Sequence, residues 1–262
     1  MDFEKIKYSQ ENGIASIKLN SPKNLNALSE PIVDELLIVL DMCADDENVK
    51  VVIISGEGKG FSAGGDIRMM LKGLDNDDKS LAKAVRKVGI MAMKIRNLRK
   101  PVIASVHGPA AGAGFNLALL CDFRIAAENA TFIQAFVNIG LIPDTGGTFL
   151  LTRMLGVARA TELIMTGRPV KANEALSLGL VNKVVEFENL ESETMKFAQK
   201  LNDLPSVALG DMKALVNRAA FYGFENALDN ETEYQSNLLN TEDFKEGIRA
   251  FSEKRKANFI GK

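Results

Sequence analysis

The chain has 262 residues, 46% of them hydrophobic and 25% charged, which is the usage of packed globular proteins and excludes a disordered chain. Lysine and arginine number 32 against 34 aspartates and glutamates, a formal charge of −2, so there is no global basic field to hold a phosphate backbone and no nucleic-acid partner is expected. The length fits one large domain, or one domain with an appendage, better than two equal domains.

Ile14–Leu19, Val49–Ser55 and Pro101–Val106 are apolar, β-branched runs that end at turn residues, and each predicts a strand. Between them, Ser29 before Pro31 starts a helix with Ile32, Val33, Leu36, Leu37 and Leu40 on one face. A second helix is predicted over Ser80 to Asn97, carrying Leu81, Val85, Val88, Met91 and Ile95. This alternation predicts an α/β unit with parallel strands. After a last strand signal at Val181–Val185 the pattern is helical from about Asn189 to Glu253, interrupted near Pro205, Gly223 and Asn240. Residues 1–188 therefore form an expected α/β core and 189–262 an expected helical region.

Cys43 and Cys121 are far apart and show no C-x-x-C spacing, which gives neither a disulfide framework nor a zinc site. No His, Asp and Glu cluster has metal-ligand spacing, so neither metal nor prosthetic group is expected. The opening MDFEKIKYSQ has no apolar signal core, and a cytoplasmic location is expected. Pro101 to Cys121 holds no acid or base except His107 and nears the length of a membrane span. Ser105, Pro109, Asn116 and glycines 108, 112 and 114 dilute it, which predicts a buried strand, turn and helix and no membrane contact.

Two glycine clusters follow strand signals. In SGEGKGFSAGGDI, Phe61 stands where a dinucleotide fingerprint needs its third glycine, and Lys59 is followed by Gly60 where a phosphate loop needs Ser or Thr. What remains is the turn Ala63 to Asp66, either a plain tight turn or a close approach of backbone to ligand. The run from His107 to Gly114 opens an apolar helix, whose first N–H groups are unpaired and whose dipole favours an anion. Two such turns, each giving one N–H to one oxygen, make an oxyanion hole. His107 itself reads as structural. Asp144, in the Pro- and Gly-rich GLIPDTGG, is either a catalytic carboxylate or a cap for the helix beginning near Gly146.

The segments N-L-N-A-L (Asn24 to Leu28, after Lys23), K-G-F-S-A-G-G-D-I (Lys59 to Ile67), K-P-V-I-A-S-V-H-G-P-A-A-G-A-G (Lys100 to Gly114), C-D-F-R-I-A (Cys121 to Ala126), I-G-L-I-P-D-T-G-G-T (Ile139 to Thr148), A-L-S-L-G-L-V (Ala175 to Val181) and F-S-E-K-R-K-A-N-F (Phe251 to Phe259) together resemble the enoyl-CoA hydratase/isomerase (crotonase) superfamily over essentially the whole chain. The resemblance implies an α/β spiral of ββα units with a C-terminal helical region that builds a homotrimer or a dimer of trimers. It implies an acyl-CoA thioester as substrate, coenzyme A being part of that substrate. The thioester oxygen is then held by the N–H groups of Gly65 and Ala113. Lys23, Leu25, Ala27, Ala63, Asp66 and Ile67 fall at coenzyme A positions, and Phe251 and Lys254 fall where some members reach a neighbouring subunit's coenzyme A. Met69, Met70, Met91 and Met93 either line an acyl tunnel or belong to the core.

The acids depart from the hydratase pattern, which resembles G-G-G-C-E followed by Q-P-E. Asn116 and Phe136 stand at those two glutamate positions, and neither is a general base. Asp144, eight residues after Phe136, falls where isomerases of dienoyl-CoA and of ring-epoxidised phenylacetyl-CoA carry a catalytic Asp, and where 4-chlorobenzoyl-CoA dehalogenase has its nucleophile. The run from Phe132 to Asp144 also resembles trans-2 to cis-3 enoyl isomerases. Asp144, Gly65, Ala113 and Asn116 are thus the candidate catalytic set, with Phe136 and Met70 in the substrate pocket. The leading expectation is a double-bond isomerase, since one base and one enolate site suffice for it. The alternatives are a hydratase using Asp144 with a water held by Asn116, an isomerase of acyl-carrier-protein thioesters, and a non-catalytic acyl-CoA-binding subunit.

Overall fold

The computed structural model describes residues 3–74 and 80–262. Strands β1 (Ile6–Glu11) and β2 (Ile14–Leu19) form a hairpin, and α1 (Glu30–Asp45) leads to β3 (Val51–Gly56). Helices α2 (Ile67–Leu74) and α3 (Ser80–Asn97) precede β4 (Val102–Val106), β5 (Pro109–Ala111) and α4 (Ala113–Leu120). There follow β6 (Phe123–Ala127), β7 (Thr131–Ile133), α5 (Gly147–Thr166, broken at Gly156), β8 (Val170–Lys171), α6 (Ala172–Ser177) and β9 (Lys183–Val185). Helices α7 (Leu190–Asn202), α8 (Ser206–Ala220), α9 (Phe224–Leu238) and α10 (Glu242–Ser252) complete the chain, with breaks at Pro205, Gly223 and Asn240 where the sequence predicts them.

The main sheet runs β1-β2-β3-β4-β6-β9, antiparallel only at β1-β2, and β5-β7-β8 form a small second sheet. An α/β class with mostly parallel strands is therefore present. The β-branched run of β3 is apolar on both faces because helices cover both. Val52 and Ile54 join the large core with α1, α3 and α4, whereas Val51 and Ile53 meet Leu190, Ala198 and Leu201 of α7 on the other side. Pro101 to Cys121 is the expected strand, turn and helix, and no helix among the described residues is long and apolar enough to cross a membrane.

β1, β5, β7 and β8 carry no clear signal in the sequence, because they are short or, in β1, largely exposed and polar, and β6, five residues and mostly buried, is a strand the sequence reading does not predict. The carboxyl ends of β3 and β4 point to the same edge, so the two glycine turns that follow them meet. Ser62 bridges Ala110 and Leu28 bridges Gly65, drawing three loops together.

Candidate active site

The first turn is built on a buried asparagine. Asn26 stands in the left-handed region (φ 55°) and its Nδ2 donates to the carbonyls of Glu57 and Gly60, each at 2.9 Å. This lays residues 21–28 along the glycine loop: Ala63 N–H donates to Leu25 O at 2.8 Å, and Leu28 N–H to Gly64 O at 2.7 Å. Lys23 is exposed, Leu25 and Ala63 are half-buried and Ala27 is buried beside this loop.

The second turn ends at Gly112, from which α4 starts at Ala113. Gly64 (φ 87°) lies against it so closely that a Cβ there would strike Ala111 O and come within 3.1 Å of Ala113 N. Only glycine allows this approach. Neither Gly65 N–H nor Ala113 N–H has an acceptor among the described residues, Ala113 being at the helix start where such groups are unpaired. Two free main-chain donors thus stand side by side.

Asp144 shares a cavity of about 50 Å³ with Gly65, Asp66, Met70 and Ala113, and Met69, Leu81, Val85, Val88 and Leu239 form its apolar walls. Two larger grooves, of about 520 and 680 Å³, contain none of Gly65, Ala113 and Asp144. The terminal methyl of Met70 lies 2.5 Å from where a Gly65 Cβ would stand, so a flexible thioether occupies the space in front of that residue. Met69, Met70 and Met93 all pack on the core that contains the fully buried Met91, but only Met69 and Met70 also line the cavity.

The Asp144 carboxyl is buried, and loss of solvent pushes its pKa up to about 6. Thr145 Oγ1 donates to Oδ1 at 2.7 Å and Gln235 Nε2 reaches Oδ2 at 3.4 Å, both acting in the opposite direction. The capping reading of this carboxyl is corrected here. The N-cap of α5 is Gly146, without a side-chain cap, and the acceptor that serves the helix start is Glu231 of α9. Its Oε2 takes Gly146 N–H at 2.7 Å and its Oε1 takes Thr148 N–H at 3.0 Å. Burial, and then the nearby Asp144, push Glu231 up to about 7 against its hydrogen bonds.

Asn116 does not line the cavity. Its Nδ2 donates to the main-chain O of Asp144 at 2.7 Å and its Oδ1 accepts from Gln134 Nε2 at 2.7 Å, so it holds the turn from behind. Phe136, expected in the substrate pocket, is not among the residues around the cavity; its ring stands 3.6 Å from a Cβ position on Gly112. Asp66 is half-buried with Oδ1 accepting Arg68 N–H at 2.9 Å, and Ile67 opens α2 and packs on the core. Phe251 and Lys254 are exposed at the end of α10, apart from the cavity.

Sequence reasoning missed Asn26, Gln134, Thr145, Glu231 and Gln235. For the last two a signal exists. Phe224, Leu228, Glu231 and Gln235 recur at spacings of four, three and four, so two polar residues occupy the buried phase of α9.

The profile described as enoyl-CoA hydratase/isomerase matches residues 9–262. The chain belongs to the enoyl-CoA hydratase/isomerase family. It is an enzyme of that family with enoyl-CoA isomerase or hydratase activity. A family member from Streptococcus mutans, named trans-2-decenoyl-[acyl-carrier-protein] isomerase, is 42% identical over the full length of both chains. Another from Syntrophomonas wolfei, named crotonyl-CoA hydratase, is 39% identical, again over 100% of each. Among solved structures, an enoyl-CoA hydratase from Mycobacterium avium subsp. paratuberculosis K-10 superimposes with a TM-score of 0.91 at 34% identity, covering 99% of this chain and 100% of that one.

Proposed function

We propose that this family member is a double-bond isomerase of enoyl thioesters with Asp144 as its single proton-shuttling base. The observation that carries the reading is the buried Asp144 carboxyl, pushed up to about 6, in one cavity with the unengaged N–H groups of Gly65 and Ala113. A base of that strength is mostly ionised at neutral pH yet returns a proton readily. On a trans-2-enoyl thioester it takes a proton from C4. The electrons move to the thioester oxygen, where the two N–H groups hold the dienolate. The same carboxyl then delivers a proton to C2, leaving the double bond between C3 and C4.

Hydration is less well supported. It needs a group to hold water beside the base, and the amide of Asn116 is committed to Asp144 O and Gln134. Phe136, at the place where the hydratase pattern has its second glutamate, brings no carboxylate. The thioester is carried on coenzyme A in this reading, with acyl carrier protein the alternative raised by the name of the Streptococcus mutans relative. The family resemblance further supports a homotrimer or dimer of trimers.

The test is an NMR-followed incubation in D2O of trans-2-decenoyl thioesters of coenzyme A and of acyl carrier protein. A 3-enoyl product with deuterium entering at C2 and no hydroxyl is expected. A 3-hydroxyacyl thioester as the main product would replace this reading with hydration.

A further inference from the structure

Two buried side chains one helical turn apart on α9 reach the Asp144 turn from the far end of the chain. Gln235 accepts Ile142 N–H through Oε1 at 3.1 Å and meets Asp144 Oδ2 through Nε2. Glu231 accepts Gly146 N–H and Thr148 N–H through its two oxygens. Between these contacts stand Thr145 (φ 56°) and Gly146 (φ 81°), both left-handed, and a β-branched residue is rarely found there.

We propose that Glu231 is a positioning residue for the isomerase reaction: by accepting the Gly146 and Thr148 N–H groups it pins the left-handed Thr145 turn and fixes the direction of the Asp144 carboxyl. The inference rests on the reading of Asp144 as the base. On the opposite side Asn116 and Gly147 N–H hold the Asp144 carbonyl, so the turn is clamped from both flanks. Among the described residues nothing else accepts the Gly146 and Thr148 N–H groups.

Capping alone is a poor account of this carboxylate. A neutral acceptor would cap α5 without burying a second carboxyl near Asp144. The groups facing the pair are Thr145 and Gln235 on Asp144, and Gly146, Thr148 and Asp144 itself on Glu231. From α4 the facing residue is the uncharged Asn116. No lysine, arginine or histidine among the described residues contributes to the shift of either carboxyl. The charge of Asp144 opposes ionisation of Glu231, which titrates after it.

Glu231→Gln, Glu231→Asp and Asp144→Asn, each assayed with trans-2-decenoyl-CoA over pH 4.5–9, test the inference. Glu231→Gln is expected to lower kcat roughly 10- to 100-fold with KM within about threefold, the signature of a displaced base. Its acid limb of kcat/KM should stay within about half a unit, because the Glu231 carboxyl, pushed up to about 7, is protonated where Asp144 titrates. Glu231→Asp, which keeps two acceptor oxygens, should recover part of kcat. A folded Glu231→Gln protein with the wild-type kcat overturns the proposal while an inactive Asp144→Asn leaves the base reading intact. An active Asp144→Asn overturns both. Should neither Glu231 variant fold, ¹³C titration of the wild-type carboxyls decides: two mutually coupled groups titrating above pH 5 are expected, and a single such group sinks the proposal.

Discussion

Thr145 donates its hydroxyl hydrogen to Asp144 Oδ1 at 2.7 Å while its own backbone stands in the left-handed region at φ 56°. A side chain is thus held in a disfavoured backbone state at the place where it stabilises the ionised carboxyl. Thr145→Val keeps the shape and the β-branch and removes the donor. Asp144 should then titrate above its present value of about 6, and the acid limb of kcat/KM should move upward. Activity at pH 6 should fall more than activity at pH 8. A pH–rate profile checks this, and an unmoved limb would show that the hydroxyl does not act on the ionisation of Asp144.

Asp144→Asn removes the proton acceptor and keeps the size, so isomerisation should fall by about two to four orders of magnitude while thioester binding persists. The same variant reports on stability. The folded Asp144 has a raised pKa, from 3.8 to about 6, so the fold favours its protonated form. That contribution is complete below pH 3.8 and is lost as pH rises through about 6. At about 1.4 kcal/mol per unit the ceiling is about 3 kcal/mol. Asp144→Asn should therefore be more stable than wild type in urea at pH 8, and the advantage should shrink at pH 4.5. Equal differences at both pH values would contradict the burial of an ionised carboxyl.

The two adjacent glycines separate packing from chemistry. Gly64→Ala forces a left-handed alanine whose Cβ strikes Ala111 O, so the two turns must part and both stability and kcat should drop. Gly65→Ala meets only the mobile end of Met70 and should cost little. Gly65→Pro deletes the N–H and should cost roughly 100- to 1,000-fold in kcat. Wild-type turnover by folded Gly65→Pro would remove Gly65 from the oxyanion site.

What the sequence made legible follows from the range of the interactions. β2, β3 and β4 are buried apolar runs, and the breaks at Pro205, Gly223 and Asn240 are set by residues that end helices locally. β5 and β7 have three residues each and are defined by pairing with each other across about twenty residues, not by a local pattern. The Gly65 and Ala113 turns could be found because small residues after strands are a local pattern. Glu231 could not be tied to Asp144 by any such pattern, since it reaches Gly146 across 85 residues. The motif position puts Asn116 in the candidate catalytic set, and the structure has its amide on the main chain of the Asp144 turn, because spacing does not say which side of a turn an amide supports.

The helical region makes a prediction about assembly. Its apolar residues divide into two sets: Phe224 and Leu228 are buried within the chain, whereas Val207, Met212, Leu215 and Val216 of α8 are more than half exposed. Residues Met165 and Val157 of α5 are 71% exposed as well, so the uncovered apolar surface extends beyond one helix. Exposed apolar side chains in this number fit a contact between molecules, and a closed cyclic assembly covers them in every copy. A trimer or a dimer of trimers is expected in light scattering at micromolar concentration. Leu215→Glu with Val216→Glu places two charges on that surface and should shift the mass toward a single chain. If Phe251 and Lys254 complete a neighbour's site, the dissociated variant should show a raised KM for the coenzyme A thioester with its secondary structure intact. A wild-type mass of one chain would refute the assembly, and an unchanged KM in a folded monomeric variant would confine the whole site to one subunit.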